Sequence, residues 1–436
     1  MLWQCKVKEE EDEIRVITIK GLDVGRFLNN GPSFSALDSL GFVSMLTRNG
    51  DWLSSDNFFF SVSSDLPDTL HVNQLDSLLY INGDLTAISI STDSPPLSFF
   101  NQLSTEEISH LRTIQFEKPI WDSIRPYLKK MALLNPAVDI IYSENDSVAL
   151  LNQDLLWLSH YFQPRALFIL NETDSISFSN LAKFPSLETL FITLPKKRDG
   201  YIPHLPNLKE VILFNSEDST SIGSDFFREN PDLESLKIIG IEGKNIDWTL
   251  LDKLKNLQNL YIETDSLILN DIYGHHPHLK SLHLGLGKDG ISYSSIFKKN
   301  KLKWLSLYPT DDPFMGQNPK VFQDSFPELE YLEFGNNDSL LDYSNFKDFK
   351  NLKYLTVIGK VGQDSTLHNL DHLRYLSLSD DFLKDSVNVV KIKMALPNTI
   401  IVPNSGACLG SGWLLLIIPL AGLWFYFLKL KTHRGQ

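Results

Sequence analysis

The sequence predicts an α/β solenoid, in which short strands stack into one curved parallel sheet and short helices or 3₁₀ turns return along the convex face. Two observations predict it. Nine times between Leu187 and Leu378 the chain has an apolar residue, two variable residues, an apolar residue, one variable residue and a third apolar residue, at a spacing of 21 to 27 residues. A second apolar rhythm lies three and six residues before most of these triplets. Neither half of such a unit buries its apolar face alone, so the units must stack.

Each triplet predicts a strand, because residues two apart point to the same face of a strand. The nine triplets are Leu187/Leu190/Ile192, Leu208/Val211/Leu213, Leu233/Leu236/Ile238, Leu257/Leu260/Ile262, Leu279/Leu282/Leu284, Leu302/Leu305/Leu307, Leu329/Leu332/Phe334, Leu352/Leu355/Val357 and Leu373/Leu376/Leu378. Apolar residues six before the first leucine, such as Leu181 and Phe227, and three before it, such as Phe184 and Leu254, predict one face of a short helix or 3₁₀ turn.

Weaker units extend the array toward the N-terminus. They are Leu85/Ile88/Ile90, Leu111/Ile114/Phe116, the marginal Ala137/Ile140/Tyr142, and Pro164/Leu167/Ile169 with a proline at its first position. We therefore expect an N-terminal flank or cap at 1–60 and a solenoid at 61–402, with its clearest repeats at 181–380 and a closing unit at 382–402. A linker at 403–412, a transmembrane core at 413–428 and a basic tail at 429–436 complete the predicted organisation.

This register resembles that of the leucine-rich-repeat family, because two independent columns agree from residue 181 to residue 380. The family usually carries an Asn at the ninth position of each unit, and here only Asn337 fits, while other units hold residues such as Pro195, Ile241 and Lys360. The departure indicates a divergent, irregular branch. The resemblance implies binding of a protein or peptide on the concave face, without catalysis or a cofactor.

The C-terminus predicts a single membrane anchor. No charged side chain occurs between Met394 and Leu428, and the apolar stretch 406–428 is long enough, at 1.5 Å per residue, to cross a hydrocarbon core of ~30 Å. Aromatic residues near both ends suit the two interfaces, and basic residues follow at once. The predicted anchor residues are Trp413, Trp424, Tyr426, Lys429, Lys431 and Arg434.

The orientation of this anchor stays open between two alternatives. The basic tail favours a cytoplasmic C-terminus with extracytoplasmic repeats, which would need an export signal upstream of Met1. Otherwise the protein is tail-anchored with its repeats in the cytosol. The stretch Leu396 to Ile400 resembles a sortase sorting signal, although a closing strand explains the same residues better. Cys408 is a candidate lipidation site.

Composition excludes several functions. The formal net charge of −14 argues against nucleic acid as a partner, because binding of the phosphate backbone needs clustered Lys and Arg. Cys5 and Cys408 are the only cysteines, so no disulfide framework is expected. No phosphate-binding glycine loop, HExxH or GxSxG motif occurs, and we expect no enzyme activity and no metal. The histidines His275, His276, His278 and His283 are better explained by a solvated turn than by a metal site.

The candidate binding residues lie between the leucines of the last strands. An aromatic column at the position before the second leucine is joined by Tyr308, and a charged position precedes it. These residues are Trp304, Tyr308, Tyr331, Tyr354 and Tyr375, with Lys303, Glu330, Lys353 and Arg374. Rigid aromatic area flanked by charge is typical of a protein contact surface. Two alternatives remain, namely aromatic filler that packs on its neighbours, and a structural spacer that has no ligand.

Overall fold

The structure is a computed structural model, which describes the strand segments 15–18, 43–47, 50–54, 59–62 and 69–75 and most of the chain from residue 78 to residue 403. Within 78–403 the positions outside the described residues are 82, 91–96, 118, 143–147, 171–174, 195–196, 199, 216–220, 265–275, 287–300, 309–323, 337–341 and 363. Residues 404–436 also lie outside the described residues, together with the predicted anchor, its six named residues and Cys408.

The described chain is dominated by one sheet of seventeen strands. In chain order the strands of the protein are β1 (Arg15–Thr18), β2 (Val43–Thr47), β3 (Gly50–Ser54), β4 (Phe59–Val62), β5 (Thr69–Leu75), β6 (Leu78–Ile81), β7 (Asp84–Ile90), β8 (Thr113–Phe116), β9 (Asp139–Tyr142), β10 (Ala166–Ile169), β11 (Ser175–Ile176), β12 (Thr189–Thr193), β13 (Lys197–Arg198), β14 (Glu210–Phe214), β15 (Ser235–Ile239), β16 (Asn259–Thr264), β17 (Ser281–Leu286), β18 (Trp304–Tyr308), β19 (Tyr331–Asn336), β20 (Tyr354–Gly359), β21 (Tyr375–Leu378) and β22 (Ile400–Pro403). From β7 to β22, with β11 and β13 left out, each strand pairs in parallel with the next.

Equivalent residues of the units stand side by side across this parallel sheet. The second apolar residue of each triplet pairs with the second apolar residue of the next, as in Leu282 with Leu305 and Leu305 with Leu332. The same register joins Ile88, Ile114, Ile140 and Leu167 through β7, β8, β9 and β10. The four weaker units predicted from the sequence are therefore confirmed as repeats of the same sheet, and the fold is a leucine-rich-repeat solenoid.

Helical segments return the chain on the other side of the leucines. The described helices are α1 (Leu97–Gln102), α2 (Thr105–His110), α3 (Arg125–Leu134), α4 (Val148–Leu158), α5 (Asp364–Leu367), α6 (Asp380–Leu383) and α7 (Ser386–Ala395), with 3₁₀ turns at Phe178–Lys183, Gly243–Asn245, Trp248–Lys253 and Tyr343–Asp348. Ser104 and Glu107 form a capping box that begins α2. The predicted helical or 3₁₀ returns are thus present, as α-helices in the N-terminal repeats and mainly as 3₁₀ turns from residue 178 onward.

The leucines and the return segments share one continuous hydrophobic core. Leu181 and Phe184 from a 3₁₀ turn are fully buried there with Leu187 and Leu190 from the following strand. Each unit contributes only a few side chains, so burial depends on the units before and after it.

Two polar residues occupy positions in this core where other repeats carry Phe or Leu. Asn230 accepts a hydrogen bond from the Leu205 backbone N–H (3.0 Å) and donates to the carbonyls of Ile202 (3.2 Å) and Pro203 (2.9 Å). The ring of His276 is 2% exposed, and its Nδ1 lies 3.1 Å from the Leu254 carbonyl. Both side chains bond to the preceding repeat. The expectation of a solvated turn is therefore wrong for His276.

The two ends of the parallel array differ. At the N-terminal end β5, β6 and β7 pair antiparallel, and β1 pairs antiparallel with β5, so that the first parallel pair is β7 with β8. Strands β2, β3 and β4 form a separate antiparallel sheet. At the C-terminal end α7 leads into β22, which pairs with β21. The domain boundary at residue 61 stays a prediction.

Among the described residues, no helix has both the length and the apolar character that crossing a membrane requires.

The Asn230 amide provides a test of the bonding between repeats. We expect Asn230→Asp to lower the free energy of unfolding by about 3 kcal/mol, because it removes two donors and buries a charge beside two carbonyl oxygens. Urea unfolding of the full chain measures it. The matched control is Asn207→Asp, whose exposed amide donates only to the Pro185 carbonyl. Equal stability of the two variants would contradict this role of Asn230.

Candidate functional site

Six rings form a continuous series of ring contacts across the face of the sheet opposite the leucines, and we call this series the ring ladder. Its members are Tyr261, His283, Trp304, Tyr331, Tyr354 and Tyr375. The centroids of successive rings are 3.8, 6.0, 5.5, 6.4 and 6.5 Å apart. Parallel strands about 4.8 Å apart bring these rings into contact. The first three pairs are stacked, whereas Tyr354 is tilted by 35° to Tyr331 and by 55° to Tyr375. The ladder shifts along the strand at one point. The strand partner of His283 is Ser306, but the ring of His283 stacks on Trp304, two residues earlier in the same strand.

The ring ladder is mostly buried. Trp304 is 2% exposed and Tyr331 is 0% exposed, whereas Tyr375 at the end of the ladder is partly exposed. The reason is lateral packing, because each ring covers a face of the next. Tyr308 ends β18, and its side chain lies outside the described residues. The faces of Trp304 and Tyr331 are therefore not available to a partner in this structure, although a role of these residues in binding stays a prediction.

Polar groups fix the first two rings of the ladder. The Tyr261 hydroxyl donates to the Glu263 carboxylate, His283 Nε2 lies 3.5 Å from Glu263 Oε1, and His283 Nδ1 lies 2.8 Å from Ser306 Oγ. The hydrogen bond with His283, and then the one with Tyr261, hold the pKa of Glu263 below its usual range. Burial and the Glu263 charge raise the pKa of Tyr261. Glu263 is therefore a carboxylate and Tyr261 a neutral phenol at neutral pH.

The order Ser306, His283, Glu263 places a hydroxyl, an imidazole and a carboxylate in contact. A nucleophilic serine must reach a substrate carbonyl. Ser306 is fully buried, so no substrate can approach its oxygen. The expectation of a solvated turn is also wrong for His283, which packs between Tyr261 and Trp304. This arrangement positions rings and does not support acyl transfer.

A buried ion pair closes the same face nearer the N-terminal end. Lys237 Nζ lies 3.6 Å from Glu210 Oε1, and Ser235 Oγ donates to the same oxygen at 3.1 Å. Burial lowers the pKa of Lys237, while the Glu210 carboxylate opposes that shift. The described face opposite the leucines is therefore closely packed with side chains from β14 to β16 as well as along the ring ladder.

A row of residues, all charged except Gln258, borders this face where the strands begin, and we call it the strand-start row. Each member directly precedes a strand, and the row comprises Arg165, Glu188, Lys209, Glu234, Gln258, Lys280, Lys303, Glu330, Lys353 and Arg374. Opposite charges meet at 3.1 Å between Arg165 Nε and Glu188 Oε1 and at 3.3 Å between Lys209 Nζ and Glu234 Oε1. Side chains at equivalent positions of these neighbouring strands therefore have opposite charges and neutralise each other.

Three of the four charged residues expected from the sequence are joined in this row. Glu330 lies between two lysines, with Oε1 3.4 Å from Lys303 Nζ and Oε2 2.6 Å from Lys353 Nζ. Arg374 follows as the next member and is exposed. The predicted charged position is thus part of a longer row that runs along ten strands.

Arg374 follows Lys353 at the end of the row, and the alternation of sign also breaks where Lys280 and Lys303 are neighbours. Lys280 Nζ donates to the neutral Gln258 Oε1 at 2.8 Å, and Lys301, two residues before Lys303, is also exposed. An open cleft of about 460 Å³ lies at this break. It is lined by Glu234, Asn256, Gln258, Pro277, His278, Leu279, Lys280, Lys301, Lys303 and Glu328. Lys280 and Lys301 were not among the residues expected from the sequence, although Lys280 occupies the same register position as Lys303.

No metal centre is present among the described residues, where no three His, Cys, Asp or Glu side chains are grouped so that they could hold an ion.

Comparison with known proteins gives likeness of fold only. No family model matches the chain, and no curated protein matches it. Among solved structures, TLR13 in complex with ssRNA13 is 15% identical, with a TM-score of 0.39 over 69% of this chain and 51% of that one. A Leptospira interrogans LRR protein is 16% identical (TM-score 0.35, 69% and 92%), and a Listeria monocytogenes internalin is 15% identical (TM-score 0.37, 72% and 90%). The chain thus spans about half the length of the first and about nine tenths of the other two.

The buried ring ladder leads to a prediction about stability. We expect Trp304→Ala to lower the free energy of unfolding by about 3–5 kcal/mol, because it leaves a cavity between two stacked rings. The control Tyr375→Ala, at the partly exposed end of the ladder, should cost about 1 kcal/mol. Urea unfolding measures both changes. A Trp304→Ala protein as stable as the unmodified chain would show that this ring is an exposed contact and not part of the packing.

Proposed function

We propose that this chain is a non-catalytic binding protein that docks an acidic segment of a protein partner at the break in the strand-start row. The main support for the proposal is that Lys280, Lys301 and Lys303 all line the same open cleft. Elsewhere in the described row, opposite charges pair from Arg165 to Glu234 and around Glu330, Gln258 bonds to Glu234, and exposed Arg374 follows Lys353 at the end of the row. At the break, two neighbouring cations lack a carboxylate between them.

Electrostatics favours a carboxylate-bearing ligand at this cleft. Repulsion between neighbouring lysines is relieved when an anion lies between them, and complementary charge gives specificity and faster association. Two carboxylates, Glu234 and Glu328, also line the cleft, and Glu234 already accepts a hydrogen bond from Gln258 at 2.8 Å and pairs with Lys209. A chain with a net charge of −14 lacks the extended basic surface that a nucleic acid backbone would need. An acidic peptide segment fits three lysines better.

The alternative is a structural spacer without a specific ligand. The continuous ring ladder favours a stiff rod, because buried stacked rings resist bending between repeats. This alternative predicts that the cleft binds nothing, and the peptide experiment below distinguishes the two.

We propose further that the chain is tethered to a membrane by residues 406–428. The support is the sequence itself, which is apolar over that stretch and is followed by Lys429, Lys431 and Arg434. The basic tail favours a cytoplasmic C-terminus with the solenoid on the other side of the bilayer. A cytosolic, tail-anchored solenoid is the alternative, and protease protection of the solenoid in sealed membranes distinguishes these orientations.

A peptide titration tests the binding proposal. We expect a fluorescein-labelled octaglutamate peptide to bind the full chain at low salt, and an octalysine peptide not to bind. Lys280→Gln with Lys301→Gln should weaken binding about fivefold or more, because each exposed charge contributes about 0.5–1 kcal/mol. Fluorescence anisotropy measures the affinity, which should fall as salt is raised.

The matched control for that titration is Lys130→Gln with Lys350→Gln, which removes two exposed lysines away from the cleft. The control should bind like the unmodified chain. If both double variants bind the acidic peptide equally well, the lysines of the cleft do not form the site. If no acidic peptide binds, the spacer alternative stands.

Membrane extraction tests the tether. After alkaline carbonate treatment of cell membranes we expect the full chain to stay in the pellet. Leu416→Arg with Leu420→Arg should release it, because each arginine at the centre of a span costs about 2.5–3.5 kcal/mol. Immunoblotting of pellet and supernatant measures the distribution. Complete release of the unmodified chain into the supernatant would refute the tether.

A further inference from the structure

The helix that closes the solenoid presents an apolar stripe to solvent. In α7, Val387 and Val390 are each 56% exposed and Met394 is 78% exposed. Their spacing of three and four residues places them on one side of the helix. On the opposite side Ile392 is fully buried against the core. The helix is therefore apolar on two sides, and only one of them is covered by the solenoid.

Two lysines border this stripe. At 100° per residue, Lys391 lies on one side of the three apolar side chains and Lys393 on the other, and both are exposed. Long lysine side chains beside apolar residues can keep their ammonium groups in the headgroup layer of a bilayer while their stems contact apolar surface. An apolar stripe with basic borders is typical of helices that lie in a membrane interface.

The position of α7 in the chain specifies what covers the stripe. Strand β22 follows the helix and ends at Pro403, and the uncharged apolar stretch begins at Gly406. Three residues of extended chain span about 10 Å. If residues 406–428 cross a bilayer, the C-terminal end of the solenoid cannot lie far from its surface. The following strand adds Ile400, which is 56% exposed at this same end.

We propose that the stripe of α7 docks on the surface of the bilayer that holds the tether. Val387, Val390 and Met394 enter the boundary between headgroups and acyl chains, and Lys391 and Lys393 bind the phosphates of anionic lipids. This inference rests on the proposed tether and goes beyond it, because a tether alone leaves the solenoid free to turn. Docking of α7 fixes which end of the sheet meets the membrane.

The experiment uses the full chain with Cys5→Ser and Cys408→Ser and one reporter cysteine, Met394→Cys, labelled with a polarity-sensitive fluorophore. The protein is reconstituted into vesicles of phosphatidylcholine and phosphatidylserine, with or without brominated acyl chains as quenchers. The matched control carries the same label at Leu133→Cys, an apolar position in α3 that is 86% exposed and distant in the repeat array.

We expect bilayer-bound quencher to reduce emission from position 394 at least about twofold, with little change at position 133. Adding Val387→Ser and Val390→Ser should abolish the quenching at 394, which shows that the helix and not the fluorophore enters the lipid. Lys391→Gln with Lys393→Gln should make the quenching independent of phosphatidylserine.

The possible outcomes separate the inference from the tether. Carbonate-resistant protein whose label at 394 is not quenched overturns the docking and leaves the tether standing. Protein that does not stay with the vesicles overturns both. A label at 394 that is shielded without lipid overturns the docking as well. If this shielding depends on protein concentration, a second copy of the chain covers the stripe. If it does not depend on concentration, the chain's own C-terminal segment covers the stripe.

Discussion

The parallel register of the strands is the constraint on which the rest of this structure depends. Side chains alternate between the two faces of a strand, so a slip of one residue would move every leucine of a unit from the core to the concave face. From β7 to β22 successive strands pair with the second apolar residue of one triplet beside that of the next. Because this holds in every unit, equivalent residues of successive repeats line up across the sheet. The core, the ring ladder and the strand-start row are each built from side chains that line up in this way.

Sequence periodicity predicted the columns well, since the spacing of apolar residues determines both the strand and the face. It even identified Ala137/Ile140/Tyr142, the weakest unit, which forms β9 in register with its neighbours. Antiparallel strands β1, β5 and β6 could not be predicted in this way, because they carry no repeated triplet. The polar residues Asn230 and His276 interrupt the apolar rhythm, and the sequence could not show that the preceding repeat supplies their hydrogen-bonding partners.

Burial of the candidate site was the part that periodicity could not predict. The pattern shows that Trp304 and Tyr331 point away from the leucines, yet exposure depends on which side chains stand in the adjacent strands. Stacking across the sheet converts exposed aromatic area into packing. In the strand-start row the same lateral proximity pairs opposite charges, as around Glu330. Recognition is therefore expected where like charges are neighbours in this row, as at Lys280 and Lys303.

Hydrogen exchange of backbone amides in the full chain tests the central claim that one sheet in a single register runs through all the repeats. We expect slow exchange at the second apolar residue of every unit from Ile114 to Leu376, with the amides of β8, β9 and β10 as well protected as those of β17 and β18. Slow exchange confined to residues 187–378, with rapid exchange in β8 to β10, would contradict a continuous solenoid and would separate the N-terminal units from the array that carries the candidate site.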